Sequence, residues 1–190
     1  MIVGLDIDGV VADFLSPFLR LLEKKIGNGP ILAETITGFD FKDHPVLSEK
    51  VVEECMVAVS YDPVFWQKLP PLLSAEEWEA LDDLSRKGKL VFITHRYERE
   101  TYDIREVTCD WLKRHGIGKP VVHFTQESKA KLVDHLGVSL FVDDRYENCQ
   151  EVAEKTAATV VMPHRYYNQS FDHPRVKRIR NFNELFAYLP

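Results

Sequence analysis

Short apolar runs recur along the chain, Met1 to Leu5, Leu90 to Ile93, Val121 to Phe124, Ser139 to Val142 and Ala158 to Met162, and the first, second and fourth end in Asp6 and Asp8, in Thr94, and in Asp143 and Asp144. Their length and branched side chains predict strands buried on both faces, as in a parallel sheet. Between them the apolar residues fall at helical spacing. Phe18, Leu19, Leu22 and Ile26 form one stripe over 14–26, stopped by Gly27. Ser74-Ala-Glu-Glu77 reads as a capping box that opens a helix with Trp78, Leu81 and Leu84 inward, ended by Gly88. Further helices are predicted over 100–115 (Ile104, Val107 and Trp111 on one face), 128–136 and 146–155.

Strands alternating with helices at these separations predict an α/β fold, a Rossmann-like parallel sheet flanked by helices. The stretch from 15 to 73 departs from that rhythm. It holds six of the ten prolines, a turn over 27–30 and an amphipathic helix over 45–59, and Pro70-Pro71 marks its end. The expected organisation is a core of residues 1–14 and 74–190 with a small helical cap, 15–73, inserted after the first strand.

A chain of 190 residues suits one core with a modest insertion. No apolar run approaches the roughly 18 residues that span a bilayer, and no leader-like segment precedes Met1-Ile-Val, so a cytoplasmic protein with no membrane partner is expected. Cys55, Cys109 and Cys149 lie far apart without a paired count and read as small core residues. A net charge of -6 argues against a stable nucleic-acid complex but leaves room for a small anionic substrate. Oligomeric state is not legible.

The chemistry sits where the apolar runs end. Asp6 and Asp8 follow the first strand with Ile7 between them, so both carboxylates can face one small volume, and Gly9 lets the chain turn. Two such carboxylates repel unless a cation or a proton intervenes. Mg²⁺, which takes hard oxygen ligands, is the expected cation. An EF-hand loop is excluded, because the spacing puts Val11 at the obligatory glycine and Pro17 at the bidentate glutamate.

Asp6-Ile-Asp-Gly-Val-Val-Ala-Asp13 resembles the first motif of the haloacid dehalogenase superfamily of phosphohydrolases. Thr94, Lys129 and Asp143-Asp144 match that superfamily's remaining motifs in type and order. The resemblance implies Asp6 as nucleophile and Asp8 as general acid and then base. Thr94 and Lys129 would bind phosphate, Lys129 being preferred to Lys131 because it begins its helix. Asp6, Asp143 and the backbone carbonyl of Asp8 would hold Mg²⁺, with Asp144 holding a metal-bound water or Lys129.

Within the superfamily the chain resembles the 5'(3')-deoxyribonucleotidases over nearly its whole length. The small helical insertion, Phe65-Trp66 with Leu69-Pro-Pro-Leu72, and Tyr167-Asn168-Gln169 carry the likeness. It implies hydrolysis of a nucleoside monophosphate. His95-Arg96 replaces a Ser-Pro pair of the animal members, and Thr-x-Arg with Asp143-Asp-Arg145 resembles polynucleotide phosphatase domains, so a polynucleotide-end or other small-molecule phosphatase is the alternative. A noncatalytic phosphate-binding regulatory domain is a third reading, opposed by the presence of Asp8.

Phe14, Phe65 and Trp66 are candidates to stack on a base, against a plain role in the cap's own core. His95 and Arg96 could contact phosphate or a cap residue, or simply lie on the surface. Arg175, Lys177, Arg178 and Arg180 read as a solvated stretch before a final helix.

Overall fold

The computed structural model describes residues 1–27 and 29–189. Six strands form one sheet: β1 (Ile2–Leu5), β2 (Leu90–Thr94), β3 (Val122–Phe124), β4 (Val138–Val142), β5 (Thr159–Pro163) and β6 (Val176–Ile179). All pairs are parallel, and the spatial order is β3-β2-β1-β4-β5-β6. The chain steps outward from β1 to β3, then returns to the other side of β1 for β4. Ligands of such sheets bind beyond the strands' carboxyl ends at this reversal, which here lies between β1 and β4.

Side chains alternate across the central, largely apolar strands, so these strands feed two cores. Leu5, Phe92, Leu140, Val142 and Val161 face one side, with Trp78 and Leu81 of α4 (Ala75–Arg86) and Trp111 and Leu112 of α5 (Ile104–Arg114). Ile93, Phe141, Val160 and Met162 face the other, against Val133 of α6 (Lys129–His135) and Cys149 and Val152 of α7 (Tyr146–Lys155). The capping box at Ser74 and Glu77 is present in both directions.

The segment between β1 and α4 carries α1 (Leu15–Ile26), α2 (Glu49–Ser60) and α3 (Pro63–Gln67). Its two ends are joined: Leu72 N–H donates to the Val11 carbonyl at 2.9 Å and Asp13 N–H to that of Pro70 at 2.8 Å. The Trp111 indole donates to the Leu69 carbonyl at 2.9 Å and fastens the returning limb to α5. The turn expected over 27–30 includes Asn28, which lies outside the described residues.

Four local expectations need correction. The helix expected from 100 begins at Ile104, because the Asp103 carboxylate caps the N–H groups of Arg105 and Glu106 and halts it there. The helix expected from 45 begins at Glu49, capped by Ser48. The basic stretch expected to be solvated contains β6, and Arg178 is half-buried, its guanidinium donating to Asn168 and to the Phe171 carbonyl. The final segment, Phe182–Tyr188, is 3-10 rather than α-helical.

Candidate active site

The β1–β4 ladder continues one step past the strands, with Asp6 N–H donating to the Val142 carbonyl at 2.8 Å. Asp6 and Asp143 therefore emerge side by side. Asp144 follows, and one oxygen of each of Asp6, Asp143 and Asp144 lies within 4.8 Å of the others, all three residues being buried. After Asp6 the chain reverses, with Val11 and Ala12 N–H groups donating to the Ile7 carbonyl at 2.9 Å. Gly9 makes the reversal possible at φ 77°, and a Cβ there would overlap the Asp144 carboxylate.

Lys129 stands in the middle of the acids. The Ser128 hydroxyl accepts from Ala130 N–H and starts α6, so Lys129 occupies the helix's first turn, where side chains lean back toward the strand ends. Its Nζ lies 2.9 Å from Asp6 Oδ1 and 2.7 Å from Asp143 Oδ2. Lys131, in contrast, is exposed and pairs with Glu127. Burial alone would lower the Lys129 pKa, but Asp143 and Asp6 outweigh it and push it up, so the ammonium stays charged.

Asp143 also accepts from Asn148 Nδ2 at 3.1 Å and from Arg145 N–H at 2.9 Å. Asp144 takes the Tyr167 hydroxyl as its donor, and Asn168 Nδ2 holds its carbonyl at 2.8 Å. Of the two roles expected of Asp144, that of holding Lys129 gives way here, since the ammonium bonds Asp143 and Asp6. Burial, with Asp143 beside it, pushes the Asp144 carboxyl up to about 7 against the Tyr167 hydrogen bond. Burial also raises Asp6 well above its ordinary value; Lys129 opposes the shift, and Asp143, Asp144 and Asp8 add to it.

Three buried carboxylates share a single buried ammonium, which leaves negative charge that a divalent cation would neutralise. The donor set is all oxygen, as Mg²⁺ requires. The residues present thus fit that ion.

The remaining candidates surround this centre. Thr94, 1% exposed, ends β2, and its hydroxyl lies 3.4 Å from Arg96 N. His95 is half-buried with Nε2 3.1 Å from the Glu127 carbonyl, and burial lowers its pKa. Asp8 projects from the turn with its side chain 23% exposed, the most accessible of the site's carboxylates. Trp66 is buried, its indole N–H donating to the Val59 carbonyl, with Phe14 stacked 5.8 Å from its ring. Phe14 itself is only half-buried.

Arg96 is the residue whose place the sequence left open. It is 4% exposed and forks onto Asp8, Nε to Oδ2 at 2.9 Å and Nη2 to Oδ1 at 2.7 Å. Its neighbour in the segment above is Trp66, whose ring centroid lies 4.8 Å from the guanidinium carbon. The surface reading of Arg96 is therefore wrong and the contact with the inserted segment is real. A signal was available: Thr94 and Arg96 are two apart beyond a buried strand and so share a face. Asn148 and Arg165, which donates to the Gly9 carbonyl at 2.8 Å, carried no such signal.

The model of a family described as 5' nucleotidase, deoxy (pyrimidine), cytosolic type C protein matches residues 1–188. The YqfW protein of Bacillus subtilis (strain 168), provisionally named a nucleotidase, is 22% identical over 190 residues, covering 98% of this chain and 92% of its own. A haloacid dehalogenase superfamily hydrolase of Geobacter sulfurreducens shares the fold with TM-score 0.56 at 18% identity, over 98% of both chains. Protein tyrosine kinase A of Mycobacterium tuberculosis reaches TM-score 0.60 at 16% identity, over 98% of this chain and 96% of its own. Structures bearing such different names show a common fold, not a common activity.

Proposed function

Because the chain belongs to the family of 5' nucleotidase, deoxy (pyrimidine), cytosolic type C proteins and is a phosphatase of that kind, we propose that it is a Mg²⁺-dependent phosphomonoester hydrolase that forms an aspartyl phosphate on Asp6 and acts on (deoxy)nucleoside monophosphates. The observation that carries this reading is the buried Asp6–Lys129–Asp143 bridge beside Asp144 at the sheet's reversal point. Asp6, Asp143, Asp144 and the Asp8 carbonyl would hold Mg²⁺, which supplies charge neutralisation for the phosphoryl oxygens.

In the first half-reaction an Asp6 carboxylate oxygen attacks phosphorus, the bond from phosphorus to the ester oxygen breaks, and Asp8 gives its proton to that oxygen. Lys129 keeps Asp6 fixed and offsets charge on the phosphoryl group, with the Thr94 hydroxyl as a further donor. In the second half-reaction water attacks phosphorus, Asp8 takes a proton from it, and the Asp6 carboxylate leaves. His95, held near neutral by burial, borders the phosphate without adding charge. The segment 15–73 acts as the cap that shields these steps from bulk water. Phe14 has the free surface to meet a base, whereas Trp66 lies between Phe14 and Arg96 and shapes the wall behind it.

Phosphate release measured over a panel of 5' and 3' nucleoside monophosphates, sugar phosphates and 3'-phosphorylated oligonucleotides tests the proposal. Mononucleotides are expected to lead, with activity lost in excess chelator and restored by Mg²⁺. Turnover that persists in chelator overturns the metal assignment. Oligonucleotides outcompeting mononucleotides would replace this reading with polynucleotide-end hydrolysis.

A further inference from the structure

Arg96 is the only buried arginine among the described residues, and every nitrogen of its guanidinium has a partner. Two of them grip Asp8, and the third, Nη1, donates to Thr108 Oγ1 on α5 at 3.0 Å. Thr108 is itself fully buried, so this arm is anchored in the core. The Arg96 carbonyl accepts from Gln126 Nε2 at 3.3 Å, which fixes the backbone behind it. The guanidinium carbon lies over the Trp66 ring of α3, 4.8 Å from its centroid. Nothing in the phosphatase chemistry derived above needs a buried cation at this position, since Lys129 already serves Asp6.

We propose that Arg96 is a positioning residue for Asp8, fixing the direction of its proton transfers and tying that direction to the seating of the segment 15–73 through Trp66; the inference rests on Asp8 serving as acid and base in the proposed reaction. The two-point fork takes both Asp8 oxygens as acceptors and so fixes the plane and direction of the carboxyl group that gives its proton to the ester oxygen and later receives one from the attacking water. The Thr108 anchor holds the fork itself in place. Displacing Trp66 removes the ring over which the guanidinium carbon sits, so a badly seated cap misdirects Asp8.

A lysine at position 96 keeps the charge but has neither the fork nor the flat face. The test is rapid-quench measurement with a radiolabelled aryl phosphate, whose leaving group departs without a proton. It follows labelled enzyme forming and decaying in the wild type, Arg96→Lys, Asp8→Asn and the double variant. Labelling is expected in the wild type and lost in Asp6→Asn. Arg96→Lys is expected to form labelled enzyme at near the wild-type rate but to lose the label on the order of 10²-fold more slowly, as a misplaced catalytic group would. Its kcat on a nucleoside monophosphate should fall by a similar factor with KM little changed. In the Asp8→Asn background the substitution should add nothing further.

If formation and decay slow together, if KM alone moves, or if the two substitutions multiply, Arg96 is merely structural and the inference is overturned. A wild type that never becomes labelled defeats the phosphoaspartate reading instead, which keeps the two failures apart. Should Arg96→Lys fail to fold, Thr108→Val removes one anchor of the same guanidinium and is expected to slow decay alone, by a smaller factor; unchanged decay there overturns the inference equally.

Discussion

Lys129 has two carboxylate partners and no access to water, so its removal leaves Asp6 and Asp143 buried against Asp144 without their cation. Breaking a buried pair from one side costs about 3–5 kcal/mol. Lys129→Met is therefore expected to lower the melting temperature of the metal-free protein at pH 7.5. The deficit should shrink on acidification, because the stranded carboxylates then take up protons and cease to repel. Thermal denaturation across pH checks this, and a deficit independent of pH would mean the lysine matters only for packing. Asp6 and Asp8 divide differently: Asp6→Asn should abolish turnover on every substrate, while Asp8→Asn should spare the first turnover of an aryl phosphate and slow release. The types and order of Asp6, Asp8, Thr94, Lys129 and Asp143 were readable because each follows a strand or opens a helix, where local pattern fixes position. The partners Tyr167, Asn148 and Arg165 were not readable as site groups. The contacts of Tyr167 and Arg165 join distant segments, of which one-dimensional spacing carries no trace, and Asn148, though only five residues from Asp143, matches no motif that marks it as its partner.

The turn after β1 is the element on which the site depends. It folds back within the span from Ile7 to Ala12, and its tip lies so close to Asp144 and Tyr167 that only a glycine fits. Gly9→Ala places a methyl group against both, at a φ of 77° that L side chains avoid. Strain of this kind costs about 1–3 kcal/mol before the overlap is counted. The variant is expected to melt lower and to lose most activity, because Asp8 and Asp144 must both shift; circular dichroism melting and phosphate release measure the two effects separately. The regular elements of the sheet followed from apolar runs and caps, whereas β6 did not. Val176-Lys-Arg-Ile179 pairs with β5 at all four positions, but as an edge strand it carries an exposed Lys177 and a half-buried Arg178 between its apolar ends and so shows no alternating pattern. The start of α5 was misjudged because charged residues from Tyr97 to Tyr102 have no breaker among them. Asp103 stops the helix through its side chain, a contact that periodicity does not register.

At the scale of the molecule, the sheet's reversal point gathers more buried negative charge than the chain alone neutralises. Asp144 has its folded pKa raised from 3.8 to about 7, so the folded state binds that proton more tightly than the unfolded one. Such a group leaves stability undiminished below pH 4 and subtracts from it as pH rises toward 7, the subtraction being complete above 7. Metal-free protein is therefore expected to melt at progressively lower temperature as pH rises from about 5 to 8, by the contribution of Asp144. Mg²⁺ should raise the melting temperature more at pH 8 than at pH 5.5, because at the lower pH it competes with protons for the same carboxylates. Equal stabilisation at both pH values would place the ion elsewhere. The net charge of -6 bears on what can enter. A polynucleotide is held by many phosphate contacts, and each released counterion makes its affinity fall with salt. A mononucleotide offers one phosphate to a site whose charges are buried and poorly screened. The two ends of the segment 15–73 are tied together beside the turn that carries Asp8, through Leu72 N–H to the Val11 carbonyl and Asp13 N–H to that of Pro70. Hydrolysis of nucleoside monophosphates is accordingly expected to change little between 50 and 200 mM salt, whereas any action on oligonucleotide ends should collapse over the same range; a steep salt dependence for the mononucleotide would mean that it is recognised at an exposed basic surface and not at this buried centre.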